Sequence, residues 1–157
     1  MGNKKTVARN KGISSSPKRF LQYLLWQSKS KRIAQGYEYT LTIDEVLDVY
    51  NKQQGLCAVS GVKMTHLKGQ GHLHKNMSID RIDNNKGYTQ DNVHIVCYYI
   101  NMMRRTMNLD EFKDVCKEIT TFTLLRNYCS IDELKEKSIS EWWRIQPVIN
   151  MTVDAKK

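Results

Sequence analysis

The chain has 157 residues, 40% hydrophobic and 26% charged, a composition that is typical of a folded protein and excludes wholesale disorder. No apolar run approaches the roughly 20 residues that a membrane-spanning helix needs, and the first residues lack the apolar segment of a secretory signal. Four scattered cysteines are too few for a disulfide scaffold and suit a reducing compartment. We therefore expect a cytoplasmic protein without a membrane partner.

The positive charge is concentrated at the start of the chain. The net charge is +9, and residues 1–37 carry nine basic side chains and no acid, whereas the remainder is balanced. Three aromatic side chains, Tyr23, Trp26 and Tyr37, are interleaved with these cations. This pattern favours contact with a nucleic-acid backbone over the alternative of a solvated helix face. The nine basic residues are Lys4, Lys5, Arg9, Lys11, Lys18, Arg19, Lys29, Lys31 and Arg32.

The first half of the chain predicts an arm followed by two helices. Residues 1–16 are polar, basic and rich in Ser and Gly, which predicts a flexible basic arm. Ser16-Pro17 predicts a helix start, because proline at the first helical position loses no hydrogen bond. Residues 37–41 alternate like a short strand. Thr42 and Glu45 then form a capping box, which predicts a helix ending near Gly55.

The second half predicts two strands and further helices. Residues 77–80 and 93–97 are apolar enough to be strands, and residues 83–87 between them are turn formers. The chain can continue as a helix over residues 98–105. Capping boxes at residues 108–111 and 130–133 predict two more helices, and residues 121–157 are expected to form a helical extension.

The segment 78–101 carries a series of motifs in a characteristic order. In chain order they are Asp80-Arg81-Ile82, Gly87, Asn92-Val93 and Cys97-x-x-Ile100-Asn101. The series resembles the signature of the HNH, or ββα-metal, endonucleases. In that family a strand with Asp-His-Ile leads through a glycine-containing loop to a second strand, and Cys-x-x-Cys-Asn opens a helix.

Flanking motifs extend the resemblance over roughly residues 17–120. Residues 54–61, Gln-Gly-Leu-Cys-Ala-Val-Ser-Gly, look like the first knuckle of the family, and residues 111–116 read Glu-Phe-x-x-x-Cys, as in a phage-type branch. The resemblance implies an α+β fold with a ββα-metal centre at about residues 56–105, flanked by helices. The expected parts are an arm at 1–16, a DNA-contacting helical region at 17–55, a core at 56–120 and an extension at 121–157, in one compact domain.

One departure from the family concerns zinc. Members with zinc use two Cys-x-x-Cys pairs, which make a tetrahedral thiolate site. Ser60 and Ile100 stand at the second position of each pair, so only Cys57 and Cys97 are left. Two thiolates do not close a structural zinc site. We predict no structural zinc and expect both cysteines to pack as small apolar side chains.

A second departure concerns the catalytic base. The histidine that deprotonates water in the family falls on Arg81, and a guanidinium stays protonated. Asp83 in the same loop is one candidate for a different base. Three histidines, His72, His74 and His94, are candidates too, although their residue pattern favours a solvated loop or surface side chain for each of them.

The resemblance also implies a metal centre and its surroundings. Hydrolysis of a phosphodiester calls for a hard cation, and Asp80 and Asn101 match the two ligand positions of the family. Both offer oxygen donors, which suits Mg²⁺ or Mn²⁺. Arg81 and Arg105 are expected to contact phosphate, with Arg104 as a weaker candidate. Asn92 is expected to bond the backbone across the loop and hold its shape.

These features predict a metal-dependent endonuclease that nicks or cuts double-stranded DNA. The catalytic set is predicted to be Asp80, Arg81, Asp83, Asn92 and Asn101. The alternative is a DNA-binding or accessory protein on the same fold whose catalytic site has decayed, which the arginine at position 81 favours. The oligomeric state does not follow from the sequence.

Overall fold

The computed structural model describes residues 3–71 and 73–126. His72, the capping box at residues 130–133 and most of the predicted extension at 121–157 therefore lie outside the described residues. The chain divides after Leu109 into two units, whereas the sequence favours a single domain, and each unit is described by itself. No helix within the described ranges is long and apolar enough to cross a membrane.

Helix α2, Pro17–Ala34, and helix α3, Ile43–Lys52, begin where the sequence predicts. The hydroxyl of Ser16 accepts a hydrogen bond from the amide of Arg19 at 3.3 Å, so the proline is the first helical residue. The capping box of α3 is complete, with Thr42 and Glu45 each bonding the backbone amide of the other. The apolar face of α2 is buried and packs against α3 and the first strand.

Residues 4–13 form helix α1, Lys4–Ile13, and not the flexible arm that the composition predicts. Asn3 caps the helix by accepting from the amide of Lys5. Its other end is tied down because the hydroxyl of Ser14 accepts from the amide of Lys68 at 2.8 Å. None of its residues is buried, so the sequence of this helix shows no apolar periodicity. Polar contacts at its two ends hold it in place.

The predicted strand at residues 37–41 is wrong. The segment makes one isolated bridge, in which Tyr39 pairs with Tyr88. The amide of Tyr88 donates to the carbonyl of Glu38 at 2.8 Å, and the two tyrosine rings stack with centroids 5.1 Å apart. The alternation of the segment therefore reflects two buried side chains, Tyr39 and Leu41, and not a strand with a partner along its length.

Strands β1, Met77–Arg81, and β2, Val93–Cys97, form an antiparallel pair, and helix α4, Tyr98–Arg104, follows β2 directly. The register places Asp80 opposite His94. All five residues of β2 are buried, and α3 packs on this strand. The predicted α+β class is confirmed, and so is the ββα order of its centre. Helix α5, Leu109–Arg126, begins within the capping box predicted at residues 108–111.

The close approach of Gly87 to residue 38 yields a prediction. A Cβ at Gly87 would lie 2.5 Å from the backbone oxygen of Glu38, so Gly87→Ala should lower the free energy of unfolding by about 1–3 kcal/mol. Gly12 lies in α1 with no atom nearer than 4.0 Å to such a Cβ. Gly12→Ala should therefore raise stability by roughly 0.5–1 kcal/mol. Urea unfolding of both variants measures the difference, and equal effects would contradict the close packing of the loop.

Candidate active site

A buried carboxylate–guanidinium pair lies at the centre of the ββα unit. Arg104 at the end of α4 donates from Nε to Oδ2 of Asp80 and from Nη2 to Oδ1, both at 2.9 Å. The side chain of Arg104 has no exposed surface and that of Asp80 is 9% exposed. Two parallel charge-assisted bonds in a buried place make a strong, directional pair, provided that both charges stay matched.

Two further donors complete the surroundings of Asp80. Nε2 of His94 lies 3.2 Å from Oδ2, and the amide of Arg81 donates to Oδ1 at 3.0 Å. Burial alone would raise the pKa of the Asp80 carboxyl, but the bonds from His94 and Arg104 outweigh it and the pKa is lowered from its ordinary value. The carboxylate is therefore held ionised.

Arg104 also fastens the loop after β1 to the end of α4. Its guanidinium donates to the backbone oxygen of Met107 at 2.8 Å and to Oδ1 of Asn84 at 3.1 Å. The amide nitrogen of Asn84 donates in turn to the carbonyl of Met107 at 2.9 Å. Arg105, for which the sequence predicts a phosphate contact at this centre, is exposed and takes a left-handed backbone with φ of 47°. The inward position thus belongs to Arg104.

The predicted ligands Asp80 and Asn101 do not fit a divalent cation as they are folded. Each oxygen of Asp80 already accepts two hydrogen bonds, which uses the four lone-pair positions of a carboxylate. The amide nitrogen of Asn101 donates to the hydroxyl of Ser78 at 2.8 Å, so only its oxygen could serve as a ligand. A cation would also face the charge of Arg104. Within residues 3–71 and 73–126, no three His, Cys, Asp or Glu side chains form a cluster suited to a metal.

Arg81 is held between two aromatic rings. Its guanidinium carbon lies 4.1 Å from the ring centroid of Tyr37 and 5.2 Å from that of Tyr88. Nη1 donates to the backbone oxygens of Asn84 and Lys86 at 2.7 and 2.9 Å. These contacts shape the loop after β1, and the expected contact of Arg81 with phosphate stays a prediction.

The predicted role of Asn92 in the loop is confirmed. Its buried amide donates to the backbone oxygens of Asp83 and Gly87 and accepts from the amide of Asp83 at 2.9 Å. Asp83 accepts from the amide of Asn85 at 2.9 Å, and its carboxylate lies 3.9 Å from Nζ of Lys86. Asp83 is thus an Asx-type turn former, which is a structural use of a residue that the sequence leaves open as a base.

Among the candidate bases, the structure brings His94 to Asp80. A histidine whose ring is held by a carboxylate has the arrangement of a general base and its orienting group. The side chain of His74 is exposed. Its backbone oxygen accepts a hydrogen bond from the amide of Tyr99 in α4. The sequence also carries a signal for Arg104, because it follows Asn101 by three residues on the same helical face.

The two remaining cysteines of the knuckle meet at the start of α4. Sγ of Cys57 accepts from the amides of Cys97 and Ser60 at 3.3 and 3.5 Å. Both thiols are buried, as expected for small apolar packing, and Ile100 at the fourth position is buried too. Burial, followed by the neighbouring Cys57, raises the pKa of Cys97 to about 11. The Cys97 thiol is therefore protonated at neutral pH.

The predicted phosphate contacts lie on the surface of α1 and α2 and at the end of α4. Arg32 is half-buried, with its guanidinium 5.7 Å from the ring centroid of Tyr88, and Lys18 lies 3.4 Å from Oδ1 of Asp44. The other predicted contacts are exposed: Lys4, Lys5, Arg9, Lys11, Arg19, Lys29, Lys31 and Arg105. The structure thus leaves most of these cations accessible to a polyanion.

Comparison with known proteins gives one structural similarity. The chain is similar to the rare-cutting HNH restriction endonuclease PacI, with a TM-score of 0.46 and 20% identity over 71% of this chain and 80% of that chain. No family model matches the sequence, and no curated protein matches it.

The buried pair predicts a specific response to pH and to substitution. Because folding lowers the pKa of Asp80, its contribution to stability is present above the unfolded pKa of about 3.9 and is lost as the pH falls through the folded value. Asp80→Asn should lower the free energy of unfolding at pH 7 by about 3–5 kcal/mol, since Arg104 is left without an anion. It should also reduce the acid dependence of that free energy.

Asp44→Asn is the matched control, because Asp44 pairs with Lys18 on the surface with 84% of its side chain exposed. Its loss should cost at most about 1 kcal/mol. Urea unfolding between pH 2 and pH 7 compares both variants with the parent protein. Equal stability of the Asp80 and Asp44 variants would refute the central role of the buried pair.

Proposed function

We propose that the protein is a DNA endonuclease of the HNH type, which hydrolyses phosphodiester bonds and makes a nick or a double-strand break. The observation that carries the proposal is the contact between Nε2 of His94 and Oδ2 of Asp80, 3.2 Å apart and placed by the ββα unit. A nitrogen base oriented by an ionised carboxylate is the group that hydrolysis needs to deprotonate water. The arginine at position 81 cannot supply it.

In this proposal each member of the buried cluster has a separate task. When Nε2 of His94 donates to Asp80, the lone pair is on Nδ1, which accepts the proton of the attacking water. Asp80 holds the ring and stabilises the imidazolium that forms. Arg104 is a positioning residue, because its two bonds to the carboxylate keep Asp80 ionised and fixed in place. The exposed cations of α1 and α2 would bind the DNA backbone.

The proposal includes the predicted dependence on Mg²⁺ or Mn²⁺. A divalent cation would supply charge stabilisation at the phosphate. The oxygen of Asn101 could contribute to holding one, while the oxygens of Asp80 are occupied by protein donors.

A second candidate function, a DNA-binding or accessory protein with a decayed site, is favoured by one observation. Arg104 is fully buried against Asp80, and protein donors fill all the acceptor positions of the Asp80 carboxylate. Buried ion pairs of this kind are found in purely structural positions. In that case His94 would serve only to complete the hydrogen bonds of Asp80.

Cleavage of supercoiled plasmid separates the two candidates. The parent protein is expected to convert plasmid to nicked or linear DNA in Mg²⁺ or Mn²⁺, and EDTA tests the metal dependence. His94→Gln should slow cleavage about 10²–10⁴-fold, because glutamine can donate to Asp80 but cannot accept the proton. Its midpoint of urea unfolding should stay close to that of the parent.

His74→Gln is the control, because His74 is exposed and is not in contact with Asp80. It should cleave at the parental rate. If the parent protein binds DNA but leaves plasmid intact in Mg²⁺, in Mn²⁺ and in EDTA, the nuclease proposal fails and the binding protein takes its place.

The DNA contact of α1 can be measured independently of cleavage. Replacing the exposed Lys4, Lys5 and Lys11 by Gln leaves Arg9 and its contact with Trp26 in place and should weaken duplex binding. The slope of log affinity against log salt should shrink by up to about 0.9 for each phosphate that is no longer bound. The control replaces three surface lysines that already pair with an aspartate in their own helix, Lys52, Lys113 and Lys117. If the slope falls equally in both triple variants, α1 has no special contact with DNA.

A further inference from the structure

A groove that the proposed catalytic chemistry does not use runs between α1, α2 and the segment at residues 67–69. Its volume is about 910 Å³, which is in the range of sites that hold small molecules. We call it the α1–α2 groove and define it by Arg9, Tyr23, Trp26, Gln27 and Lys68. Met77 at the start of β1 also lines the groove, and along the strand it is about 10 Å from Asp80.

Two aromatic rings with cations beside them line the groove. Trp26 is 68% exposed, and its ring lies 6.4 Å from that of Tyr23, one helical turn earlier on α2. The guanidinium of Arg9 is 5.8 Å from the Trp26 ring centroid, and Nζ of Lys68 is 4.6 Å from that of Tyr23. Three separate elements thus bring a flat apolar face and a positive charge to the same place.

The charged side chains that line the groove are all positive among the described residues. The lining contains Arg9 and Lys68 and no acidic side chain among the described residues that form it. Gln27 adds an amide that is exposed to solvent. Cations with no acid favour an anionic occupant, and exposed aromatic faces favour a planar one. A nucleotide, which joins a phosphate to a planar base, has both properties.

We propose that the α1–α2 groove binds a single-stranded segment of DNA, with unstacked bases against Trp26 and Tyr23 and phosphates at Arg9 and Lys68. A base inside a duplex has both faces covered by its neighbours, so only an unpaired nucleotide can enter a concave aromatic site. The inference rests on the proposed function in taking DNA as the substrate. It adds that the preferred DNA contains an unpaired strand near the cleavage site.

The test compares one labelled DNA strand of about 12 nucleotides, within the usual site size of single-strand binders, with the same strand in a duplex. Fluorescence anisotropy is measured on the full chain. Trp26→Ala should weaken binding of the single strand about 5–150-fold, the range expected for loss of one stacked base, and leave duplex binding unchanged. Trp26→Phe should restore most of the affinity, because the ring is kept.

Ile33→Ala is the matched control, since Ile33 is an exposed apolar residue of α2 that does not line the groove. It should bind both forms like the parent protein. Equal losses for single strand and duplex in Trp26→Ala, or no loss in either, would overturn the groove proposal. An RNA strand of the same sequence that binds more tightly and shows the same loss would overturn its assignment to DNA.

The experiments distinguish failure of the groove proposal from failure of the proposed nuclease function. If the parent protein cleaves plasmid while Trp26→Ala binds the single strand as well as the parent, the groove proposal alone fails. If the single strand binds through Trp26 but no plasmid is cleaved, the groove proposal stands and the nuclease proposal fails.

Discussion

The structure depends on one buried carboxylate. Asp80 lies on β1 with 7% of its surface exposed, and an ionised group in such a place is stable only if donors replace the water it gives up. Arg104 brings two of them from the end of α4, and His94 brings a third from β2. Each element of the ββα unit therefore contributes to the same ion cluster. The charges fix the relative position of strands and helix in a way that apolar contacts alone, which have no direction, would not.

The hydrogen bonds to Asp80 also limit the chemistry that the site can perform. The donors that stabilise Asp80 are also competitors of a divalent cation, because a carboxylate has only four acceptor positions. The proposed nuclease and the binding protein differ in what His94 does with its second ring nitrogen, and they share every contact of Asp80. Loss of activity in an Asp80 variant would therefore report on folding as much as on chemistry. A change at His94 that keeps the bond to Asp80 separates the two.

Sequence patterns predict those parts of the fold in which local chemistry decides the structure. The capping box of Thr42 and Glu45 needs only neighbouring atoms, and the loop role of Asn92 is one that the family resemblance implies. Helix α1 escapes prediction because it buries no residue and is held by a tether between Ser14 and Lys68, 54 positions apart. The inward position of Arg104 depends on the exact end of α4, where Arg105 has a φ of 47°. The expected contact of Arg105 with phosphate stays a prediction.

The departure at position 81 has a physical consequence that connects the loop with the proposed base. In the family that the sequence resembles, position 81 would hold a histidine. Here the guanidinium lies against Tyr37 and Tyr88 and binds two loop carbonyls, so it takes over the shaping of the loop. The register of the sheet then offers a different place for a base, because His94 lies directly across from Asp80. In the proposed function the base therefore lies on the second strand, directly across from the carboxylate that orients it.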